Sequence, residues 1–419
     1  MALEEKLFQE LDKKIIQNIP AAQKTKLNRF YSKSLSSPER WPQNWNQSFE
    51  FTRPTPKAGV LLLHGLSDSP YSLRSIGQTL HRYQAHVIGL RLPGHGTAPS
   101  GLLNTQWEDM ASAVKIAIQH LKNLIGDKPI YIVGYSNGGA LALNYALNTI
   151  DDPSLPKIKN IVLISPEIGV TKLAGYAFVQ ERLGHLLGLE KLAWNSIHSE
   201  YDPYKYNSFA LNAGIQANRI TKNLHSDLNK HQKQKNIHQL PPIMTFQSAV
   251  DNTVSTTALI NNLYRKLSSP KHELIIFDMN RYSEMRTLLN FTSRDELFHL
   301  VTKQENKFKT TLITNISPNS AEVHAVTYDN TKSKEVKEEL ALYWPANLYS
   351  LSHVALPFPR NDSLYGEMDK DNELQLGALA LYGERGILQI PPGDILRLRW
   401  NPFYSYMEQR ILSFLELTY

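Results

Sequence analysis

The chain has 419 residues, 42% hydrophobic and 20% charged, with a formal net charge of +6. That balance allows a sizeable packed core and excludes global disorder. The absence of cysteine excludes disulfides, thiolate catalysis and zinc–cysteine sites.

Lys and Arg are scattered and form no nucleic-acid motif, so no nucleic-acid partner is expected. The mild positive charge is compatible with peripheral contact with an anionic membrane. The opening "MALEEKLFQELDKK" is too charged for a secretory signal. No window approaches the roughly 18–20 apolar residues of a membrane span. The sequence fixes neither oligomeric state nor compartment, the cytoplasm being the default and cell-envelope association the alternative.

Leu3, Leu7, Leu11 and Ile15 are spaced four apart, with Phe8, Ile16 and Ile19 alongside. This predicts an amphipathic helix over 3–19, packing its apolar stripe on the main domain. A polar segment to about residue 50 completes an N-terminal extension. Next come "GVLLLHG" (59–65) as a buried strand, a helical stretch, and "AHVIGLRLPG" (85–94) as a strand. A helix over 106–124, the strand "PIYIVGYS" (129–136), a helix over 138–149 and the strand "IKNIVLISP" (158–166) follow. Farther on are the strand "PPIMTFQSA" (241–249), the helix "TTALINNLYRKL" and the strand "HELIIFDM" (272–279). These strands are continuous apolar runs, which suits a mostly parallel sheet covered by helices on both faces.

Two stretches break the alternation. Residues 167–240 carry no core strand, are helical in pattern, and read as a cap between core segments 51–166 and 241–280. Residues 281–345 read as an insertion holding a hairpin, "TTLITNIS" with "AEVHAVTYD", then a charged helix-like run, "SKEVKEEL". The segment 346–419 carries "LSHVALPF", an alternating strand "ILRLRW" and a final helix. That helix is expected to have Asn401 as N-cap, Pro402 at its first position, and a buried stripe of Phe403, Met407, Ile411 and Phe414 or Leu415.

The chemistry centres on "YIVGYSNGGALAL". Ser136 stands between Gly134 and Gly138 where a strand gives way to a helix. It is either a turn residue or a nucleophile held at a strained corner, and the strand–helix context favours the nucleophile. A serine hydroxyl needs a base, a group that orients the base, and donors for the developing oxyanion. The N–H groups of Asn137 and of Leu66, in the loop after "LLLHG", are placed for the last role. His64 is expected to brace that loop.

Together "LLLHGLSDSPYS", "LRLPGHGTAPSG" and "VGYSNGGALAL" resemble the serine α/β-hydrolases, most of all the monoglyceride lipase, carboxylesterase and lysophospholipase branch. The resemblance implies the α/β-hydrolase fold, with a helical cap and here a late insertion before the catalytic histidine. It implies the chain order nucleophile, acid, histidine. Asp251 in "IMTFQSAVDNTVS" matches the acid, with a carboxylate inside 281–345 as competitor. Downstream, His299 sits in a helical pattern and His324 in a strand pattern. His353, in "YSLSHVALPF", matches the histidine loop.

The resemblance implies a small-molecule ester or lipid substrate, with short or medium acyl esters and monoacylglycerols ahead of lysophospholipids. No cofactor or metal is expected. Tyr201, Tyr204, Tyr206 and Phe209, with Phe178 and Trp194, are candidates to line a substrate cleft or simply to pack the cap. Two other readings remain: an aminopeptidase-type enzyme holding a substrate amine at Glu167 or Asp202, and a non-catalytic binding protein on the same fold.

Overall fold

The computed structural model describes residues 2–169, 193–251, 253–282, 292–302, 306–329, 334–346, 348–367, 374–377 and 397–418. Among these, strands β1 (Phe49–Phe51), β2 (Ala58–Leu63), β3 (Ala85–Leu90), β4 (Ile130–Tyr135) and β5 (Asn160–Ile164) precede the cap. The cap carries a small antiparallel pair, β6 (Trp194–Ser196) with β7 (Phe209–Ala210). Then come β8 (Ile243–Ser248), β9 (Glu273–Phe277), β10 (Lys309–Asn315), β11 (Glu322–Asp329) and β12 (Lys334–Tyr343). One ten-stranded sheet runs in the order β1-β3-β2-β4-β5-β8-β9-β10-β11-β12. It is parallel from β3 through β10, with antiparallel strands at both margins.

The helices are α1 (Ala2–Leu11), α2 (Arg74–Arg82), α3 (Trp107–Ile125), α4 (Asn137–Asp151), α5 (Leu211–Lys233), α6 (Thr256–Asn262), α7 (Thr292–Val301) and α8 (Tyr404–Phe414). Gln106 and Asp109 start α3 with a reciprocal capping box. Successive residues of a strand point to opposite faces, and here both faces are covered. In β2, Leu61 and Leu63 join the core built with α3, α4 and α5, while Val60 and Leu62 join the core built with α2 and α8. This is why the strand reads as an unbroken apolar run.

The structure departs from four sequence expectations. In α1, Leu3 and Leu7 are exposed, and the inward side instead carries Glu4, which accepts from Arg91 Nε at 2.6 Å, and Phe8 beneath the same guanidinium. The helix continues through Asp12–Ile16 as a π-helical turn. "KEVKEEL" is strand β12, not helix. Its Glu and Lys residues favour a helix locally, but the free edge of β11 captures the backbone, and charges at an outer edge deter further pairing. Residues 397–400 of "ILRLRW" form no strand; the rest of that motif lies outside the described residues. Finally, α8 starts at Tyr404. Asn401 forms a turn ahead of it, its side chain accepting from the Phe403 N–H. The stripe Phe403, Met407, Ile411 and Leu415 is fully buried.

The segment 281–345 adds β10–β12 to the main sheet beyond β9. Its two ends meet: Asn280 N–H donates to Tyr349 O at 2.8 Å, and Asn280 Nδ2 donates to Leu348 O at 2.8 Å. The chain re-enters beside the point it left.

Candidate active site

Ser136 ends β4 at φ 52° and ψ −118°, a conformation that a residue with a Cβ holds only under constraint. Hydrogen bonds supply the constraint. Ser136 N–H donates to Ile164 O at 2.9 Å, and Ser136 O accepts from Gly139 N–H at 2.9 Å and Glu167 N–H at 3.0 Å. The flanking glycines are sterically required. A Cβ on Gly138 would lie 2.0 Å from Leu63 O, and one on Gly134 2.5 Å from Gly138 O. The corner is thus pressed against the end of β2, where the loop bearing Leu66 begins. Neither the Leu66 nor the Asn137 backbone N–H has an acceptor among the described residues. Both remain available to an incoming oxygen.

His64 braces that loop, as the sequence predicts. Its Nε2 accepts from Leu92 N–H at 3.1 Å, so Nδ1 carries the proton and donates to Gly65 O at 2.8 Å. Burial, reinforced by the neighbouring His95, pushes its pKa well below the usual imidazole value, keeping it neutral.

His353 is buried in a single 3₁₀ turn, His353–Ala355. Its Nδ1 pairs with Asp251 Oδ2 at 2.9 Å. Donation from Nδ1 leaves Nε2 as the free basic nitrogen. Asp251 follows β8, and its Oδ1 accepts from the N–H groups of Thr253 (2.8 Å) and Val254 (3.0 Å). Oδ2 also accepts from Gln247 Nε2 at 3.1 Å. Burial raises the carboxyl's pKa. The His353 charge and hydrogen bond, with the Val254 and Thr253 N–H groups, outweigh that and hold it below the usual range.

Hydroxyls that sequence reasoning passed over fix the histidine loop. Ser248 Oγ donates to Leu351 O at 2.9 Å, and Ser352 Oγ to Leu398 O at 2.6 Å. Tyr135, next to Ser136, packs its ring 5.3 Å from the His353 ring and points its hydroxyl at His353 O, 3.4 Å away. Ser136 Oγ makes no hydrogen bond among the described residues, and such bonds often tighten only around a substrate. His299 on α7 and His324 in β11 do not bond to Asp251.

The aromatic candidates divide. Tyr201 and Tyr206 line a cavity of about 200 Å³ beside the loop bearing Leu66 and the loop bearing His353. Tyr204 stacks on Tyr71, centroids 4.2 Å apart, and Phe209 packs against the core beneath the cap; neither lines that cavity. Trp194 is half-buried in β6, and Phe178 lies outside the described residues.

Asp202 is consumed structurally. Its Oδ1 accepts from Tyr365 OH at 2.5 Å and from the Tyr204 and Lys205 N–H groups, and its Oδ2 faces Arg399 at 3.5 Å. Glu167 is buried, its Oε2 has no partner among the described residues, and burial pushes its carboxyl up to about 7. Among the described residues no group of three or more His, Asp or Glu side chains could hold a metal. No described helix is long and apolar enough to cross a membrane.

Residues 60–196 match the family model of the alpha/beta hydrolase fold. A thermostable monoacylglycerol lipase of Bacillus sp. (strain H-257) is 30% identical over 116 residues, 28% of this chain and 43% of the relative. The magnesium-chelatase 30 kDa subunit of Rhodobacter capsulatus is 39% identical over 100 residues, 23% of this chain and 33% of the relative. The chain thus spans less than half the length of either curated relative. Among solved structures, a monoglyceride lipase of Saccharomyces cerevisiae is similar at 14% identity and a TM-score of 0.43, covering 62% of this chain and 91% of that one. The chain has the α/β-hydrolase fold, a mostly parallel sheet flanked by helices, and over about a quarter of its length resembles a monoacylglycerol lipase.

Proposed function

We propose that the protein is a serine hydrolase that cleaves carboxylic esters through an acyl-enzyme. The observation that carries the reading is the buried His353–Asp251 pair at 2.9 Å, on a loop packed against Tyr135, the neighbour of the strained Ser136. His353 Nε2 takes the proton of Ser136 Oγ as the hydroxyl attacks the ester carbonyl. The Leu66 and Asn137 N–H groups receive the oxyanion. Asp251 holds the imidazole in the working tautomer and stabilises its cation. His353 then returns the proton to the departing alcohol, and water, deprotonated by the same nitrogen, releases the acid.

Short and medium acyl esters, monoacylglycerols and lysophospholipid-like esters are the substrates this reading favours. The partial likeness to a monoacylglycerol lipase supports it. An aminopeptidase role gains no support: Asp202 is already engaged by Tyr365, two backbone N–H groups and Arg399, and Glu167 with a pKa of about 7 makes a poor anchor for an ammonium group.

A fluorophosphonate probe followed by intact-mass measurement tests the assignment. Wild type gains one adduct, and Ser136→Ala gains none and loses turnover while keeping its fold. An unlabelled wild type, or near-normal turnover in Ser136→Ala, sinks it.

A further inference from the structure

The cavity of about 200 Å³ that touches the site has a charge imbalance that ester hydrolysis alone does not require. It opens between Ser67, next to the oxyanion residue Leu66, and Val354, next to His353. Its charged lining is Lys205, Arg397, Arg399 and Asp202, three cations against one carboxylate. Asp202 is engaged by Arg399 and by three hydrogen-bond donors, one of them the Lys205 backbone N–H, and among the described residues its carboxylate makes no ion pair with the Lys205 or Arg397 side chain. Arg397 has no hydrogen bond or ion pair among the described residues. The Lys205 Nζ lies 4.8 Å from the Phe358 ring centroid and 5.1 Å from that of Tyr365, and the buried Asp68 behind the cavity answers part of its charge.

Both cations are pinned to the catalytic loops. Tyr206 N–H donates to Ser67 O at 2.8 Å, which ties the turn bearing Lys205 to the oxyanion loop. Ser352 Oγ donates to Leu398 O at 2.6 Å, which ties the residue between the two arginines to the histidine loop. The volume holds about six water-sized groups, enough for a phosphate.

Resting on the ester-hydrolase reading, we propose that this cavity is an anion subsite that selects esters carrying a phosphate on the alcohol half. Val354 places the cavity next to the histidine that hands a proton to the departing alcohol, which assigns the anion to that half. Guanidinium and ammonium groups bind phosphate oxygens through charge-assisted hydrogen bonds.

The test compares two matched esters, decanoylglycerol and decanoylglycerol phosphate, by their ratio of kcat/KM in wild type, Arg397→Gln and Lys205→Gln. Fluorophosphonate labelling of each variant reads whether its active site is folded. Wild type should favour the phosphate ester, and each substitution should lower the ratio by about tenfold, the worth of one charged hydrogen bond. Arg397→Glu should lower it further. A wild type that favours the neutral ester, or a ratio indifferent to substitution in labelled protein, overturns the subsite and leaves the hydrolase reading standing. Competitive inhibition by inorganic phosphate without preference for the phosphate ester assigns the cavity to a free anion and also overturns it. Failure of wild type to cleave either ester or to be labelled removes the hydrolase reading itself.

Discussion

The N–H of Asn280 donates to the carbonyl of Tyr349 at 2.8 Å, closing the excursion that separates β9 from the histidine loop. This contact lets the chain add three strands and still deliver His353 to Asp251. Asn280 is buried. Its side chain donates to Leu348 O and accepts from Tyr282 N–H and Asn315 Nδ2. Asn280→Ala leaves those groups unpaired, and a loss of about 1–3 kcal/mol in urea denaturation is expected. A fall in kcat should accompany it as the histidine loop loosens. Unchanged stability and kcat together would show that the junction does not hold the loop.

Asp251→Asn keeps the shape of the acid but lets its amide donate to Nδ1, reversing the imidazole tautomer. A drop in kcat of about ten-thousand-fold with little change in KM is expected. Stability should also lose its acid dependence here. The native carboxyl is held below its usual range, so its contribution is present above the unfolded value and is lost as pH falls through the folded one. Denaturation from neutral to strongly acidic pH measures this. Parallel curves for wild type and variant would contradict the assignment.

Glu167 gives the opposite sign. Its carboxyl titrates near 4.5 when exposed and at about 7 in the fold. Between those values the folded state keeps a proton that the unfolded chain has lost, so stability falls as pH rises across the window and is level above it. Across that window wild type should lose about 3 kcal/mol relative to Glu167→Gln, at 1.36 kcal/mol per pKa unit. A constant gap between the two proteins at every pH would mean that the carboxyl is not buried without a partner.

Gly138→Ala would set a Cβ 2.0 Å from Leu63 O, a backbone atom that cannot swing away. Gly126→Ala is the comparison, because Gly126 has positive φ but nothing lies within 4 Å of its Cβ position, whereas Gly138 is helical and crowded. The comparison should cost about 1–3 kcal/mol, from backbone strain at φ 64° and ψ −129°. Gly138→Ala should cost several times more and abolish fluorophosphonate labelling by displacing the Asn137 N–H. Equal thermal shifts for the two would refute the close approach of β2 to the corner.

Local order along the chain was enough to reveal most of the sheet. Unbroken apolar strands such as β2 and β8 declare themselves because both faces are covered. Ser136 declares itself because its corner needs Gly134 and Gly138. Asp251 and His353 became candidates through the loops that carry them. The sequence could not show what depends on distant partners. β12 is a strand only because β11 offers it an edge, against the helical preference of its own residues. Leu3 and Leu7 face outward because Arg91, far along the chain, claims Glu4. The meeting of Lys205 with Arg397 and Arg399 depends on two loops folded together. Short-range periodicity is written in neighbouring residues, whereas edge pairing, ion pairing and pocket charge are set by groups that only the folded chain brings within reach.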